Sequence, residues 1–539
     1  MARLARSSKG FSLGKMRQNL RIAKETGYIV RSGGRLRFAL VYPNFYYVGM
    51  SNLGLHIIYA LINSRRDAAC ERFFLDEPLS VETQTPLNRF SAAGFAVSFE
   101  QDYFNVVKIL RAAKINPAAS ARTKFDPILI AGGPCATFNP IPLAEIFDAF
   151  VIGEGEVIMP AVLDVLAENL PREETLAALA KVPGVFVPSA AQGKVSRQWV
   201  ENLDEYPAHS EIITSDTEFD MYLIETARGC GHHCRFCMAG YCFRRPRNRS
   251  LEVLKAEVDA AKKFGKKIGL MGAAISDYPQ INELCRYILD AGLGMSVASL
   301  RADSVTAELV RALVASGLKT LTVAPEAGSE KMRAVINKNL TEADIFRAVE
   351  LGMAAGLKNF KLYFMVGLPF EELADVAAIA EMSARLKKFV GAGKLTLSVN
   401  PFVPKPFTPF QWAALAERKY LNAAIKMLRD RLKKIPGVEV LAESVKASEV
   451  QAILARGDRR IAELVVQSET PQKFLELLRA SGLDAEFYLR ARSAEEIFPW
   501  EVLDMGFSKK YLRAEFERAA EFKSTRACFD GCRRCGVCK

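Results

Sequence analysis

The sequence predicts an α/β protein in three parts. A Rossmann-like, doubly wound N-terminal domain comes first, then a partial (β/α)6 barrel, then a mainly helical C-terminal region with a cysteine-rich tail. Three observations predict this. Two separate series of apolar, strand-like runs alternate with amphipathic, helix-like stretches, the pattern of parallel sheets covered by helices. Glycines stand at the ends of several of those runs, where open α/β sheets bind ligands. The cysteines fall mainly into two tight groups.

Residues 1–35 are a basic extension in which Arg3, Arg6, Lys9, Lys15, Arg17, Arg21, Lys24, Arg31 and Arg35 face a single acid, Glu25. A solvated helix or arm and a phosphate-contacting arm both fit that pattern. Over residues 36–182, RFALVYP, FAVSF, DPILIAGGP and IFDAFVIGEGE read as strands. SNLGLHIIYALINSR, YFNVVKILRAAK and EVIMPAVLDVLAENL read as helices. The strand ends carry Gly132, Gly133 and Pro134, then Gly153, Glu154, Gly155 and Glu156, so Gly132, Gly133, Gly153 and Glu154 are candidate ligand contacts. Residues 183–220, broken by Pro183, Pro188 and Pro207, read as a linker.

Residues 221–410 supply six strand candidates: MYLIETARGC, KIGLMG, GMSVAS, TLTVAP, FKLYFMVGLP and LTLSVNPF. A helix follows each but the last, which implies a partial barrel with its site at the strand C-terminal ends. Residues 411–539 read as mainly helical.

Half of the 539 residues are hydrophobic, a quarter charged and 9% aromatic. That composition excludes a disordered or fibrous chain. No apolar run reaches the ~18 residues of a membrane span. The basic N-terminus lacks the apolar segment of a secretory signal, so a cytoplasmic protein is expected. Lys and Arg outnumber Asp and Glu by 73 to 61, a net charge of +12, compatible with an anionic partner but not diagnostic of one.

Eleven cysteines make an odd number, which suits metal ligation in a reducing compartment better than a closed disulfide framework. ARGCGHHCRFCMAG sets Cys230, Cys234 and Cys237 in a C-x3-C-x2-C loop directly after the first barrel strand. Three thiolates in one short loop can hold a cubic iron–sulfur cluster and leave one iron open. A closed zinc site would need a fourth ligand from His232, His233 or Cys242.

With Phe236 just before the third cysteine, this stretch resembles the signature of the radical S-adenosylmethionine superfamily, and the resemblance runs from about Tyr222 to Phe410. It implies a radical S-adenosylmethionine barrel with a 4Fe–4S cluster on Cys230, Cys234 and Cys237. The open iron would chelate S-adenosylmethionine, and one electron would cleave it to methionine and a 5′-deoxyadenosyl radical. It also implies a low-potential electron donor of flavodoxin or ferredoxin type. By strand position it implies cofactor contacts at Gly272 and Ala273 in LMGAA, Ser299 and Arg301 in SLRAD, Glu326 in APEAGS, Arg333 on the next helix, and Gly367 and Pro369 in FMVGLPFEE. The usual Gly-Gly-Glu is missing from LMGAA. No catalytic residue is assigned. Arg244, Arg245, Arg247 and Arg249 could grip an anionic substrate or pair within the chain.

The N-terminal domain resembles the cobalamin-binding domain fused ahead of many such enzymes, through VYPNFYYVGMSNLG, AGGPCATFNP and VIGEGE. Together the two resemblances point to a group of fusions whose members end in a cysteine cluster. Cobalamin is implied but not secured, because Asp-x-His-x-x-Gly is absent and His56 sits in an apolar helical stretch. In TRACFDGCRRCGVCK, Cys528, Cys532, Cys535 and Cys538 suit a second 4Fe–4S cluster, with zinc as the competitor. Three functions follow as expectations: cobalamin-associated radical methyl transfer to a substrate the sequence does not name, RNA modification of the methylthiotransferase type using the tail cluster, and a non-catalytic iron–sulfur sensor or electron carrier. RNA or another anionic molecule is the substrate class suggested by the charge.

Overall fold

The computed structural model describes residues 21–31 and 36–538. In the N-terminal domain, β1 (Leu36–Tyr42), β2 (Ala68–Phe74), β3 (Ala92–Ala96), β4 (Ile128–Gly132), β5 (Ala149–Val151) and β6 (Val185–Phe186) form one sheet in the order β2-β1-β3-β4-β5-β6. β1 to β5 are parallel, and β6 joins β5 antiparallel. β1 and β4 are almost continuously apolar because both faces of the sheet are covered. α1 (Leu53–Ser64) and α3 (Gly155–Ala167) bury their apolar sides on one face, and α2 (Tyr103–Ala112) lies on the other. The chain goes from β1 out to β2 and then crosses back to β3. The strand order therefore reverses beside β1, which opens the crevice where such sheets bind ligands.

The barrel strands are β7 (Met221–Glu225), β8 (Lys267–Met271), β9 (Met295–Ser296), β10 (Thr320–Glu326), β11 (Asn359–Val366) and β12 (Lys394–Pro401). Neighbours are parallel, and a single bridge between Leu300 and Val323 carries the arc from the β9 side to β10. The arc is one strand longer than the six expected. β13 (Val438–Ala442) pairs parallel with β12, beyond the boundary drawn at residue 410. Its sequence VEVLA alternates in exposure along an open edge, so it offers no apolar run to read as a strand.

Residues 183–220 are not a free linker. Val185–Phe186 closes the first sheet, Val195–Ser196 pairs with Leu503–Asp504 from near the C-terminus, and His209 bridges Ile224 of β7. The helices Val445–Ala455, Arg459–Val465 and Pro471–Ala480 pack on α2 and the turns at Glu100–Asp102 and Ile141–Leu143, outside the second face of the N-terminal sheet. One apolar core joins Phe95, Phe104 and Phe147 to Trp412, Leu454, Phe474 and Trp500, with Phe104 and Phe474 5.7 Å apart. The barrel keeps its own core.

Most of the basic extension lies outside the described residues; within residues 21–31, Glu25 and Arg21 tie the chain to the N-terminal domain. Glu25 is buried and accepts from Arg72 at 2.6 and 3.0 Å, while Arg72 also donates to Glu82 at 2.6 Å. Arg21 pairs with Asp76, Glu77 and Asp216. Among the described residues no helix is long and apolar enough to cross a membrane.

Candidate active site

The loop after β7 carries Cys230, Cys234 and Cys237. Its base is a short antiparallel ladder, with Arg228 opposite Arg247 and Ala227 opposite Asn248. Gly229 takes φ +84, and a Cβ there would stand 2.2 Å from the carbonyl oxygen of Phe243. Only glycine lets the two arms of the loop cross this closely. The crown of the loop hangs from the chain beyond β10. Asn337 donates to the carbonyls of His232 (3.0 Å) and His233 (3.2 Å). The buried guanidinium of Arg235 reaches the carbonyls of Ala334, Val335 and Lys523 and the carboxylate of Glu515. Phe236 packs on an apolar bed that includes Met332, Leu368, Phe402 and Phe410.

The three cysteines are free thiols. Burial and the neighbouring sulfurs push Cys230 up to about 12 and Cys237 up to about 11. A bound cation would have to displace those protons. Among the described residues, no three His, Cys, Asp or Glu side chains converge tightly enough to hold a single ion. Each fourth ligand considered for zinc is otherwise engaged. His232 pairs with Asp277 at 2.5 Å, His233 meets Tyr511 at 2.6 Å, and Cys242 is buried in the apolar core. Three thiols set around a loop, with no fourth protein ligand, fit a 4Fe–4S cluster with one open iron.

Gly272, Ala273 and Ser299 are exposed at the ends of their strands. Glu326 ends β10 at φ +68 and accepts from Lys338 at 3.3 Å. Both lie near enough to Cys237 to act on its charge. Arg301 is buried on Asp303 (2.8 Å) and the carbonyl of Lys338. The buried guanidinium of Arg333 braces its loop through the carbonyls of Leu340 (2.7 Å), Ala327 (3.2 Å) and Gly328 (2.9 Å), while its Nη2 is left without a hydrogen-bond partner. Gly367 packs under Leu421 and Ala416 and donates its N–H to Glu371 at 2.7 Å, while Pro369 is half-buried in the same turn.

Asn337 and Lys338 escaped the reading of the sequence. The signal was INKN, since asparagine is among the non-glycine residues that most readily enter left-handed backbone, and Asn337 and Asn339 stand at φ +54 and +51.

Across from the crown, the strand ends of the N-terminal sheet open onto a cavity of about 490 Å³. Gly94, Gly132, Gly133 and Gly153 line it with Ile57, Ile58, Ile130, Val151 and Met159, and Gly229, Gly272 and Ala273 close it from the barrel side. No histidine lines it. Both nitrogens of His56 are used elsewhere: Nε2 lies 3.1 Å from the carbonyl of Met50, and Nδ1 accepts the N–H of Ile212 at 3.3 Å. Burial lowers its pKa to about 4 and keeps it neutral.

Charge joins the two walls. Glu154 accepts from Arg247 and Arg228, and Arg228 also reaches Glu156 (2.7 Å) and Glu225 (2.8 Å). Burial alone would raise the pKa of Glu154, but the two guanidiniums hold it below the usual carboxylate range. Glu154 lines the cavity with its carboxylate holding both guanidiniums and the Val200 N–H, so it clamps the two walls together. The arginine cluster is likewise absorbed. Arg249 is held by Glu225 (2.9 Å) and the carbonyl of Tyr206 (2.7 Å), and Arg244 by His233 (2.8 Å). Of the four, Arg245 is exposed. The tail cysteines lie against the crown, where the Cys528 N–H donates to the carbonyl of Gly231 at 2.8 Å.

Comparison with known proteins agrees with this architecture. Residues 54–188 match the family described as Radical SAM proteins, N-terminal, and residues 224–383 match the Radical SAM superfamily. An uncharacterized protein of Methanocaldococcus jannaschii is 34% identical over 452 residues, covering 83% of this chain and 94% of its own length. The radical S-adenosylmethionine methyltransferase TsrM from Kitasatospora setae, solved with cobalamin and a 4Fe–4S cluster bound, superposes with a TM-score of 0.53 at 13% identity, over 83% of this chain and 100% of that one. The cobalamin-dependent S-adenosylmethionine radical enzyme OxsB, with aqua-cobalamin and S-adenosylmethionine bound, gives 0.47 at 16% identity, over 83% of this chain and 62% of that one. The three-cysteine loop lies inside the matched barrel, and a relative follows the chain through both domains: this protein is a member of the radical S-adenosylmethionine superfamily of enzymes.

Proposed function

We propose that the chain is a cobalamin-dependent radical S-adenosylmethionine enzyme that transfers a methyl group to an unreactive carbon. One observation carries this reading: the glycine-edged strand ends of the first sheet and the base of the three-cysteine loop line a single cavity. When bound, the cofactors supply one-electron cleavage of a sulfonium carbon–sulfur bond and a carrier for the methyl group.

The residues divide the remaining work. Cys230, Cys234 and Cys237 hold the cluster. Gly272, Ala273, Ser299 and Glu326, with Lys338 beside it, present backbone and polar groups to the amino acid and ribose of S-adenosylmethionine. Gly94, Gly132, Gly133 and Gly153 admit a flat macrocycle close to the backbone, and the aliphatic wall keeps water from it. With no imidazole lining the cavity, the chain offers the corrin no histidine as a lower ligand. A low-potential donor of flavodoxin or ferredoxin type supplies the electron.

The test uses the full chain reconstituted anaerobically with iron and sulfide. Dithionite and S-adenosylmethionine should yield 5′-deoxyadenosine, and Cys230→Ala, Cys234→Ala or Cys237→Ala should abolish it. Added hydroxocobalamin should be retained through gel filtration, with its visible band. Failure to retain any corrin overturns the cobalamin part, and an intact cluster that never cleaves S-adenosylmethionine overturns the whole reading.

A further inference from the structure

The last dozen residues are seated on the crown of the three-cysteine loop. The Cys528 N–H bonds to the Gly231 carbonyl at 2.8 Å, and a Cβ at Gly231 would stand 3.2 Å from that of Cys528. Asn337 joins the same two segments. Its amide nitrogen holds the carbonyls of His232 and His233, and its oxygen accepts the Thr525 N–H at 2.6 Å. Asn339 adds a bond to the Thr525 carbonyl at 3.1 Å.

The hydrogen bonds around the tail sulfurs have a definite polarity. Arg244 stands 2.8 Å from Nδ1 of His233. A guanidinium can only donate, so Nδ1 accepts and the single proton of the neutral ring is on Nε2. Nε2 stands 3.1 Å from Sγ of Cys528, so that sulfur receives a hydrogen bond. Arg534 donates its Nε–H to Sγ of Cys532 at 3.4 Å. Donors aimed at sulfur stabilise thiolates, and N–H groups of this kind surround metal-bound ligands. All four tail cysteines are free, with Cys532 and Cys535 buried.

We propose that Cys528, Cys532, Cys535 and Cys538 hold a second 4Fe–4S cluster, with His233 of the first cluster's loop as a positioning residue that donates to the Cys528 thiolate. A tetrahedral zinc ion with bonds of about 2.3 Å draws its sulfurs to within about 3.8 Å of one another. A cubane accepts thiolates at separate corners, as the x3, x2, x2 spacing allows. The proposal does not depend on cobalamin.

The test is metal analysis of the anaerobically reconstituted full chain. Two four-iron clusters predict about eight iron and eight sulfide per chain. The triple variant Cys230→Ser, Cys234→Ser, Cys237→Ser should keep about half of both, with the electron paramagnetic resonance signal of a reduced cubane. The quadruple tail variant should keep the other half. His233→Phe should keep all the iron while moving the midpoint potential of the tail signal to more negative values, because a hydrogen bond to sulfur is lost. The proposal is overturned if the triple variant holds no iron, or if it holds one zinc that the tail substitutions remove. Either result leaves the radical reading intact. Should the quadruple variant misfold, the triple variant decides alone.

Discussion

Glu154, at the end of the N-terminal sheet, and Arg247, on the returning arm of the three-cysteine loop, are joined by two parallel hydrogen bonds of 2.6 and 3.0 Å. Both residues are buried, and Arg228 donates to the same carboxylate at 2.9 Å. The pairing sets the two walls of the cavity at a fixed separation, because a bidentate guanidinium–carboxylate pair tolerates little displacement. Glu154→Gln takes the carboxylate partner from the buried Arg247, while Arg228 keeps Glu156 and Glu225. The expected cost is about 3–5 kcal/mol of folding stability, read by guanidinium chloride unfolding, with loss of corrin retention even where the chain is folded. A change under about 1 kcal/mol would show that the clamp carries little.

The strand-end glycines make opposite predictions. Gly153 has φ +122 and would place a Cβ 2.0 Å from the carbonyl oxygen of Gln198, so Gly153→Ala should cost about 2 kcal/mol or more in stability. At Gly132 the nearest atom to a Cβ is on Val151, 3.9 Å away, so Gly132→Ala should leave unfolding within about 0.5 kcal/mol of wild type. Its methyl group points at the cavity, and corrin affinity should fall by roughly tenfold. Equal corrin binding in Gly132→Ala would place the macrocycle elsewhere.

These contrasts mark how far the sequence could be read. The thiol triad, the strand ends and the order of β7 to β12 were legible because each depends on local pattern: cysteine spacing, glycine after an apolar run, periodicity. What Glu154 and Arg247 do was not, because they are 93 residues apart and a charged side chain carries no mark of its partner. Arg333 had the right strand position for a cofactor contact, yet it turns onto three carbonyls of its own neighbourhood. β13 was lost because an edge strand with alternating exposure resembles a polar segment. The pairing of residues 183–220 was not legible because their short extended pieces find partners as distant as Leu503.

The different fates of Arg333 and Glu326 can be separated by measurement. Arg333→Leu leaves buried carbonyls without a donor and should lower stability by about 2–4 kcal/mol. Its affinity for S-adenosylmethionine per folded, cluster-loaded molecule should stay within about twofold of wild type. Glu326→Gln should do the reverse, with a small change in unfolding and a Kd for S-adenosylmethionine weakened about tenfold, as expected when one charge-assisted hydrogen bond is lost. Isothermal titration under anaerobic conditions reads both, and a normal Kd in Glu326→Gln would remove Glu326 from the cofactor site.

His209 gives the fold a pH dependence of its own. It stacks on Tyr222 of β7 and pairs with Glu257 at 2.7 Å and Glu211 at 3.7 Å, pinning residues 208–213 to the barrel. Burial opposes its charging, but the two carboxylates outweigh burial and raise its pKa from 6.5 to about 9. A group whose pKa is higher in the folded state stabilises it fully below the unfolded value and loses that effect as pH rises through the folded one. Stability from this ion triad should therefore be complete below about pH 6.5, decline toward pH 9 and vanish above it. With the side chain about a quarter exposed, solvent screening limits the effect to roughly 1–2 kcal/mol. Urea unfolding from pH 6 to 10 should show the decline in wild type, and His209→Gln should lack the part due to this residue. An identical pH profile in the variant would mean that the two glutamates are satisfied without the imidazolium.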